Sequence, residues 1–220
     1  FDVLMQIYEA YGVDTRTAVA SIIENNIYGL DIDDRAAQLA YFSVMMKACQ
    51  YDKRFLRRKV QPHVYAIVES NHVDPNVVDY FCNGDAKLKK AMDTIISELH
   101  DAKEYGSIIT VSQQDWESLY ARFDEIQNES VMSIYTDAAL RLRSIVDIAR
   151  TMAKKYNIVI TNPPYMSARG SMSAVLTKYL TKNYALSKND MFTVFMEVCQ
   201  NLLKRDGLYS MVNQQSWMFL

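Results

Sequence analysis

Asn162-Pro163-Pro164-Tyr165 is the stretch of this sequence best suited to chemistry. It follows the apolar run Tyr156-Asn157-Ile158-Val159-Ile160-Thr161, whose β-branched content reads as a buried parallel strand. Neither proline has an N–H to give to a sheet ladder. The chain must therefore leave the sheet in a stiff, extended loop that holds an amide and a phenol ring at fixed positions. In open α/β sheets, ligands lie beyond the carboxyl ends of the strands, so this loop has both the place and the rigidity of a site. Metal chemistry has no comparable signal. Cys49, Cys82 and Cys199 stand far apart, as do His63, His72 and His100, and no pair has ligand spacing. No metal is expected, and the thiols read as buried and free in a reducing cytoplasm.

The surrounding elements read as α/β. Phe1–Tyr11 has apolar residues at a helical period and stops at Gly12, and Asp14 is a plausible cap for a second helix. Ile27-Tyr28-Gly29-Leu30-Asp31-Ile32 is a short apolar strand ending on an acid. Asp33 and Asp34 then sit where a helix N-terminus favours negative charge, and a long helix runs from Arg35 to Tyr51. Strand, terminal acid and helix make one unit of a parallel sheet. Asp31 is placed either to accept hydrogen bonds from the ribose of a nucleotide-like cofactor or to cap the following helix. The neighbouring Ile32 would lie against the adenine ring in the first case. Val64–Asn71 is the next expected strand, with Glu69, Ser70 and Asn71 at its end.

Residues 72–155 are expected to be a mainly helical insertion. It comprises helices over Asp85–Tyr105, Trp116–Ile126 and Val131–Tyr156, with a short strand at Ser107–Val111. Beyond the Asn162–Tyr165 loop, Met166–Met172 is small and polar, and Arg169-Gly170 suggests mobility. Asn189 and Asp190 cap a helix that ends in a turn at Lys204-Arg205-Asp206-Gly207, before a strand at Leu208–Asn213. Lys53-Arg54 and Arg57-Arg58-Lys59 form one basic cluster, read as a solvated loop or a phosphate contact.

The strand leading into Asn162-Pro163-Pro164-Tyr165 resembles the catalytic motif of amino-group DNA methyltransferases, which use S-adenosylmethionine to methylate adenine N6 or cytosine N4. Gly29-Leu30-Asp31-Ile32-Asp33 with Arg35-Ala36-Ala37 is similar to the second motif of that family. Asp190-Met191-Phe192, the helix after it and Ser216-Trp217-Met218-Phe219 resemble its downstream part. The resemblance implies a Rossmann-like, class I S-adenosylmethionine-dependent sheet. Asn162, Pro163, Pro164 and Tyr165 would be its catalytic residues, and Asp31 and Ile32 its cofactor-binding ones.

In that reading the Asn162 side-chain oxygen and the Pro163 carbonyl accept the two N6 hydrogens. Pro164 fixes the loop, and Tyr165 stacks on an adenine flipped out of double-stranded DNA. Among relatives the wording is most similar to the large adenine methyltransferases of BREX phage-defence systems, with single-chain restriction-modification enzymes close behind. Other defence-system subunits are then implied as partners. The family's first motif, a glycine-rich turn after a strand, has no counterpart in these residues. The opening without methionine and the apolar stop at Leu220 are expected of a piece of a longer protein, with its target-recognition domain elsewhere.

Composition constrains the alternatives. Half of the 220 residues are hydrophobic, 23% are charged and only 6 are glycine, which is a globular composition. No apolar run approaches the ~20 residues of a membrane span. The net charge of −2 announces no general nucleic-acid surface. Methylation of a release-factor glutamine uses the same tetrapeptide, but the compactness of those enzymes argues against it here. An inactive methyltransferase-like scaffold is the non-enzymatic reading.

Overall fold

The computed structural model describes residues 1–129, 133–168, 170, 172–213 and 215. The chain is α/β and divides into two compact units, Phe1–Val68 and Glu69–Leu220, each containing one parallel pair of strands.

In the first unit, α1 (Asp2–Ala10) and α2 (Thr15–Ser21) are separated by Gly12, whose φ of 74° is open to glycine without strain. Asp14 caps α2 as expected, accepting from the backbone N–H of Arg16 and Thr17 at 3.1 and 3.0 Å. A π-helical turn over Ile22–Asn26 leads into β1 (Tyr28–Asp31). Then α3 (Asp34–Tyr51) crosses over to β2 (His63–Ala66), which pairs with β1 from Tyr28↔His63 to Asp31↔Ala66. Met5, Val19, Ile22, Ile23, Ala48 and Phe55 form the core that joins the helices.

The second strand is shorter than its sequence suggests. Ser70 and Asn71 lie outside it and in the second unit, where their side chains are committed to packing. Ser70 is 2% exposed and its hydroxyl donates to the Ile96 carbonyl, while Asn71 exchanges hydrogen bonds with Asp101.

The second unit opens with α4 (Pro75–Cys82), α5 (Ala86–Glu98), α6 (Ala102–Tyr105), α7 (Trp116–Gln127) and α8 (Thr136–Ala153). The single helix expected over Asp85–Tyr105 is thus two, broken at Leu99–Asp101, where Asp101 takes a left-handed φ of 57°. The strand expected at Ser107–Val111 is not formed. Gly106–Ile108 is a 3-10 turn, and Ile108, Ile109 and Val111 are buried as irregular chain. The Ile108 carbonyl is satisfied by the Tyr184 hydroxyl, 2.5 Å away, in place of a ladder partner. Val131 and the Ser216–Leu220 segment lie outside the described residues.

From α8 the chain enters β3 (Tyr156–Thr161), followed by α9 (Ala174–Asn183), α10 (Met191–Leu202) and β4 (Leu203–Met211). β4 runs parallel to β3, with Ile158↔Leu208 through Thr161↔Met211 in register. Two expectations change here. β4 begins at Leu203, five residues early, because Lys204–Gly207 is an irregularity inside the strand and not a turn before it. β3 is not buried on both faces: Ile158 and Ile160 are 64% and 79% exposed. Among the described residues β3 is paired along one edge only, by β4, so half of its β-branched side chains have no cover.

Candidate functional site

Asn162 is the first residue past the end of β3, and the ladder is intact up to it. Thr161 pairs with Met211, and the Thr161 carbonyl accepts from the Val212 N–H at 3.2 Å. Gly207 is what lets β4 reach this register. A Cβ there would stand 2.7 Å from Leu203 Cδ2 and 3.1 Å from the carbonyl oxygens of both Asn157 and Lys204. A side chain there would force the Leu203 side chain to move and the two carbonyls to give by a few tenths of an ångström.

The far end of the loop is held independently. Ser167 forms an antiparallel bridge with Asp190. Its two flanking backbone bonds run from the Ala168 N–H to the Asn189 carbonyl (2.9 Å) and from the Met191 N–H to the Met166 carbonyl (3.0 Å). The Met166 N–H also turns back onto the Pro164 carbonyl at 3.0 Å. Asn162–Tyr165 is therefore a four-residue span clamped by a parallel ladder before it and an antiparallel bridge after it. Within the span Pro163 is buried, whereas Asn162, Pro164 and Tyr165 are exposed, Tyr165 at 54%.

A hydrophobic cluster supports the clamp. Met166 and Met211 pack against Leu176, Leu180, Tyr184, Met191, Val194, Phe195 and Val198 from α9 and α10. Tyr105 stacks on Tyr179 at 4.1 Å between ring centroids. Burial pushes the Tyr179 phenol up to about 12 and raises Tyr184 as well, so these rings act as neutral packing beneath the loop and not as acids or bases.

The first unit carries the other expected site residues. Asp31 ends β1, and its Oδ1 accepts from the Asp33 N–H at 2.9 Å. Capping of α3 falls to Asp33, which accepts from the N–H of Arg35 and Ala36 at 2.7 and 3.0 Å. The two uses weighed for Asp31 thus separate: the cap is Asp33, and Asp31 remains exposed with its second oxygen unbonded among the described residues. Ile32 is exposed beside it. A free carboxylate oxygen next to an exposed apolar side chain, at the carboxyl end of a parallel strand, fits an adenosine group.

Asp31 and Ile32 belong to one unit and Asn162–Tyr165 to the other. The bridge partners Asn189 and Asp190 escaped sequence reasoning as parts of the loop. Asp190 was expected as a cap, but its side chain makes no cap bond and its backbone does the work. The only available signal was the cluster of polar residues ahead of an apolar helix. Among the described residues, no three His, Cys, Asp or Glu side chains gather as a metal site, and no helix is long and apolar enough to cross a membrane.

Residues 25–220 match the Eco57I restriction-modification methylase family. The whole chain is similar to the adenine-specific methyltransferase PglX of Lacticaseibacillus casei (strain Zhang), with 33% identity over 225 aligned residues. It is likewise similar to the adenine-specific methyltransferase BrxX of Escherichia coli O9:H4 (strain HS), with 35% identity over 243. The chain spans 19% and 20% of the length of these two relatives.

Proposed function

The chain belongs to the Eco57I restriction-modification methylase family, and on that premise we propose that the protein carrying it methylates adenine N6 in DNA as part of a bacterial restriction-modification or phage-defence system. Both curated relatives are named for adenine-specific methyl transfer. The observation that carries the reading to particular residues is the clamped span Asn162–Tyr165, fixed at both ends with its amide and its phenol ring exposed. The proposal includes a Rossmann-like sheet of the S-adenosylmethionine-dependent class, with residues 72–155 as a helical insertion in the catalytic domain.

S-adenosylmethionine, when bound, supplies an electrophilic methyl group on a sulfonium. Asp31 would hold the ribose through its unbonded oxygen, and Ile32 would face the adenine ring. The remaining task falls to the loop. An exocyclic amine is a poor nucleophile, because its lone pair is delocalised into the ring. The Asn162 side-chain oxygen and the Pro163 carbonyl accept its two hydrogens, which favours a pyramidal nitrogen and aims the lone pair. Asn162 is exposed, so water can take the proton that the amine gives up.

Tyr165 stacks on the flipped base and contributes roughly 1–3 kcal/mol, offsetting part of the cost of unstacking it from the duplex. Pro163 is buried and Pro164 has its carbonyl turned onto the Met166 N–H, so the acceptors are held before the base arrives. Preorganised acceptors of this kind account for about 10²–10³ in rate.

The test offers the full-length protein tritiated S-adenosylmethionine with unmodified host DNA, with peptide-chain release factor, or with neither. Label is expected in adenine, falling about 10²–10³-fold in Asn162→Ala. Label in the release factor would transfer the reading to glutamine N5. No label in any arm would overturn methyl transfer altogether.

A further inference from the structure

Lys53, Arg54, Arg57, Arg58 and Lys59 fall within seven residues, and no acid follows until Glu69. In a chain with 24 basic and 26 acidic side chains, that is an unusual local excess of one sign. A solvated surface loop ordinarily mixes both signs. The turn is also rigid. Phe55 is fully buried in the core of the first unit, and Phe55–Arg58 is a 3-10 turn closed by bonds from the Phe55 N–H to the Asp52 carbonyl and from the Arg57 N–H to the Arg54 carbonyl. Lys59 ends it in a left-handed conformation, φ 57°.

One cation of the five is structural. The Arg58 guanidinium pairs with Asp52, donates to the Arg16 carbonyl at 3.0 Å and lies 6.0 Å from the Phe55 ring centroid. It thereby neutralises the acid at the base of the turn and ties the turn to the start of α2. Asp14, two residues before Arg16, is occupied by the backbone N–H groups of Arg16 and Thr17. Lys53, Arg54, Arg57 and Lys59 are left exposed, and among the described residues no acid pairs with them. The fold has used one arginine to present four other cations.

We propose that this turn is a phosphate-backbone contact for duplex DNA: Arg54 and Arg57, with Lys53 and Lys59, hold the nucleic acid without reading its sequence. The proposal rests on the DNA-methylation reading. It adds a binding surface on the first unit, away in sequence from the loop that faces the base. A phosphate strand is the partner that four unpaired cations on one turn fit. Contacts to phosphate oxygens carry no sequence information, so as a backbone contact the turn contributes uniformly across sequences.

The experiment measures duplex affinity of the full-length protein against salt. Arg54→Gln with Arg57→Gln should weaken binding to unrelated duplexes equally and flatten the slope of log K against log salt by about 1.8, or 0.9 per lost phosphate contact. Arg54→Lys with Arg57→Lys should keep the slope. An unchanged slope in the Gln pair, with the wild type binding and methylating DNA, overturns the turn as a contact and leaves the methylation reading standing. An equal flattening by Lys87→Gln with Lys90→Gln, on α5, also overturns it, since bulk charge would then be the cause. A wild type that neither binds nor methylates DNA overturns both readings.

Discussion

Asp31 and Asp33 lie two residues apart, carry the same group and have separate work. Asp33 satisfies two N–H groups at the start of α3, whereas Asp31 takes one backbone N–H and keeps an oxygen free. Substitutions should therefore separate by readout. Asp33→Ala removes a cap and should cost about 1 kcal/mol of stability, with little change in S-adenosylmethionine affinity. Asp31→Asn keeps an acceptor for the Asp33 N–H but loses the charge. Hydrogen bonds to charged acceptors contribute about 1 kcal/mol more than neutral ones, so the cofactor Kd should rise by roughly fivefold at nearly unchanged Tm. Calorimetric titration and a thermal melt of both variants check this. Equal effects of the two substitutions on both readouts would remove Asp31 from the cofactor site.

At the scale of elements, the loop depends on strand register, and register depends on Gly207. A methyl group there meets two backbone carbonyls at 3.1 Å as well as the movable Leu203 side chain. Gly207→Ala should therefore cost about 1–3 kcal/mol, as overpacking does. Part of the penalty should appear as slower methylation, because β4 also holds Thr161, the last residue before Asn162. A thermal melt beside an activity assay decides it, and an unaltered Tm would show that the strand absorbs the methyl group elsewhere.

This irregularity also marks the limit of what the sequence discloses. β3 and its loop were legible because β-branched residues and two prolines act locally. The cap at Asp14 was legible for the same reason, whereas Asp33 read only as negative charge at a helix start and the cap weighed for α3 was Asp31. Lys204–Gly207 read as a turn, since a glycine behind basic residues has the pattern of a helix stop, and only the partner strand makes it an irregularity. Ser107–Val111 read as a strand from an apolar run, whereas its apolar residues are buried by tertiary packing, Ile108 against α9 and α10. The Ser167–Asp190 bridge joins residues 23 apart, and nothing local announces it.

Across the whole chain, net charge is nearly balanced at −2, and the alkaline limb of stability draws on particular buried groups. Four of these fall in the second unit. Burial pushes the thiols of Cys82 and Cys199 up to about 11 and the phenols of Tyr120 and Tyr179 up to about 12, with the Asp147 carboxylate adding to the rise at Tyr120. Each folded pKa lies above its unfolded value, so the fold retains a proton that the unfolded chain releases first. The contribution is complete below the ordinary thiol and phenol ranges and is lost as pH rises through 9 to about 12. Tm should accordingly fall along that limb, and Cys82→Ala with Cys199→Ala should flatten its lower part, between about 9 and 11.

The same burial keeps the two thiols protonated and slow to react at pH 8, where ordinary thiols are partly thiolate. Pulsed alkylation read by mass spectrometry should then label Cys82 and Cys199 together, at the rate at which the second unit opens, and Cys49 on α3 at its own rate. Labelling of Cys82 and Cys199 at different rates in the native protein would mean that α4 and α10 open separately, and the second unit would then not unfold as one body.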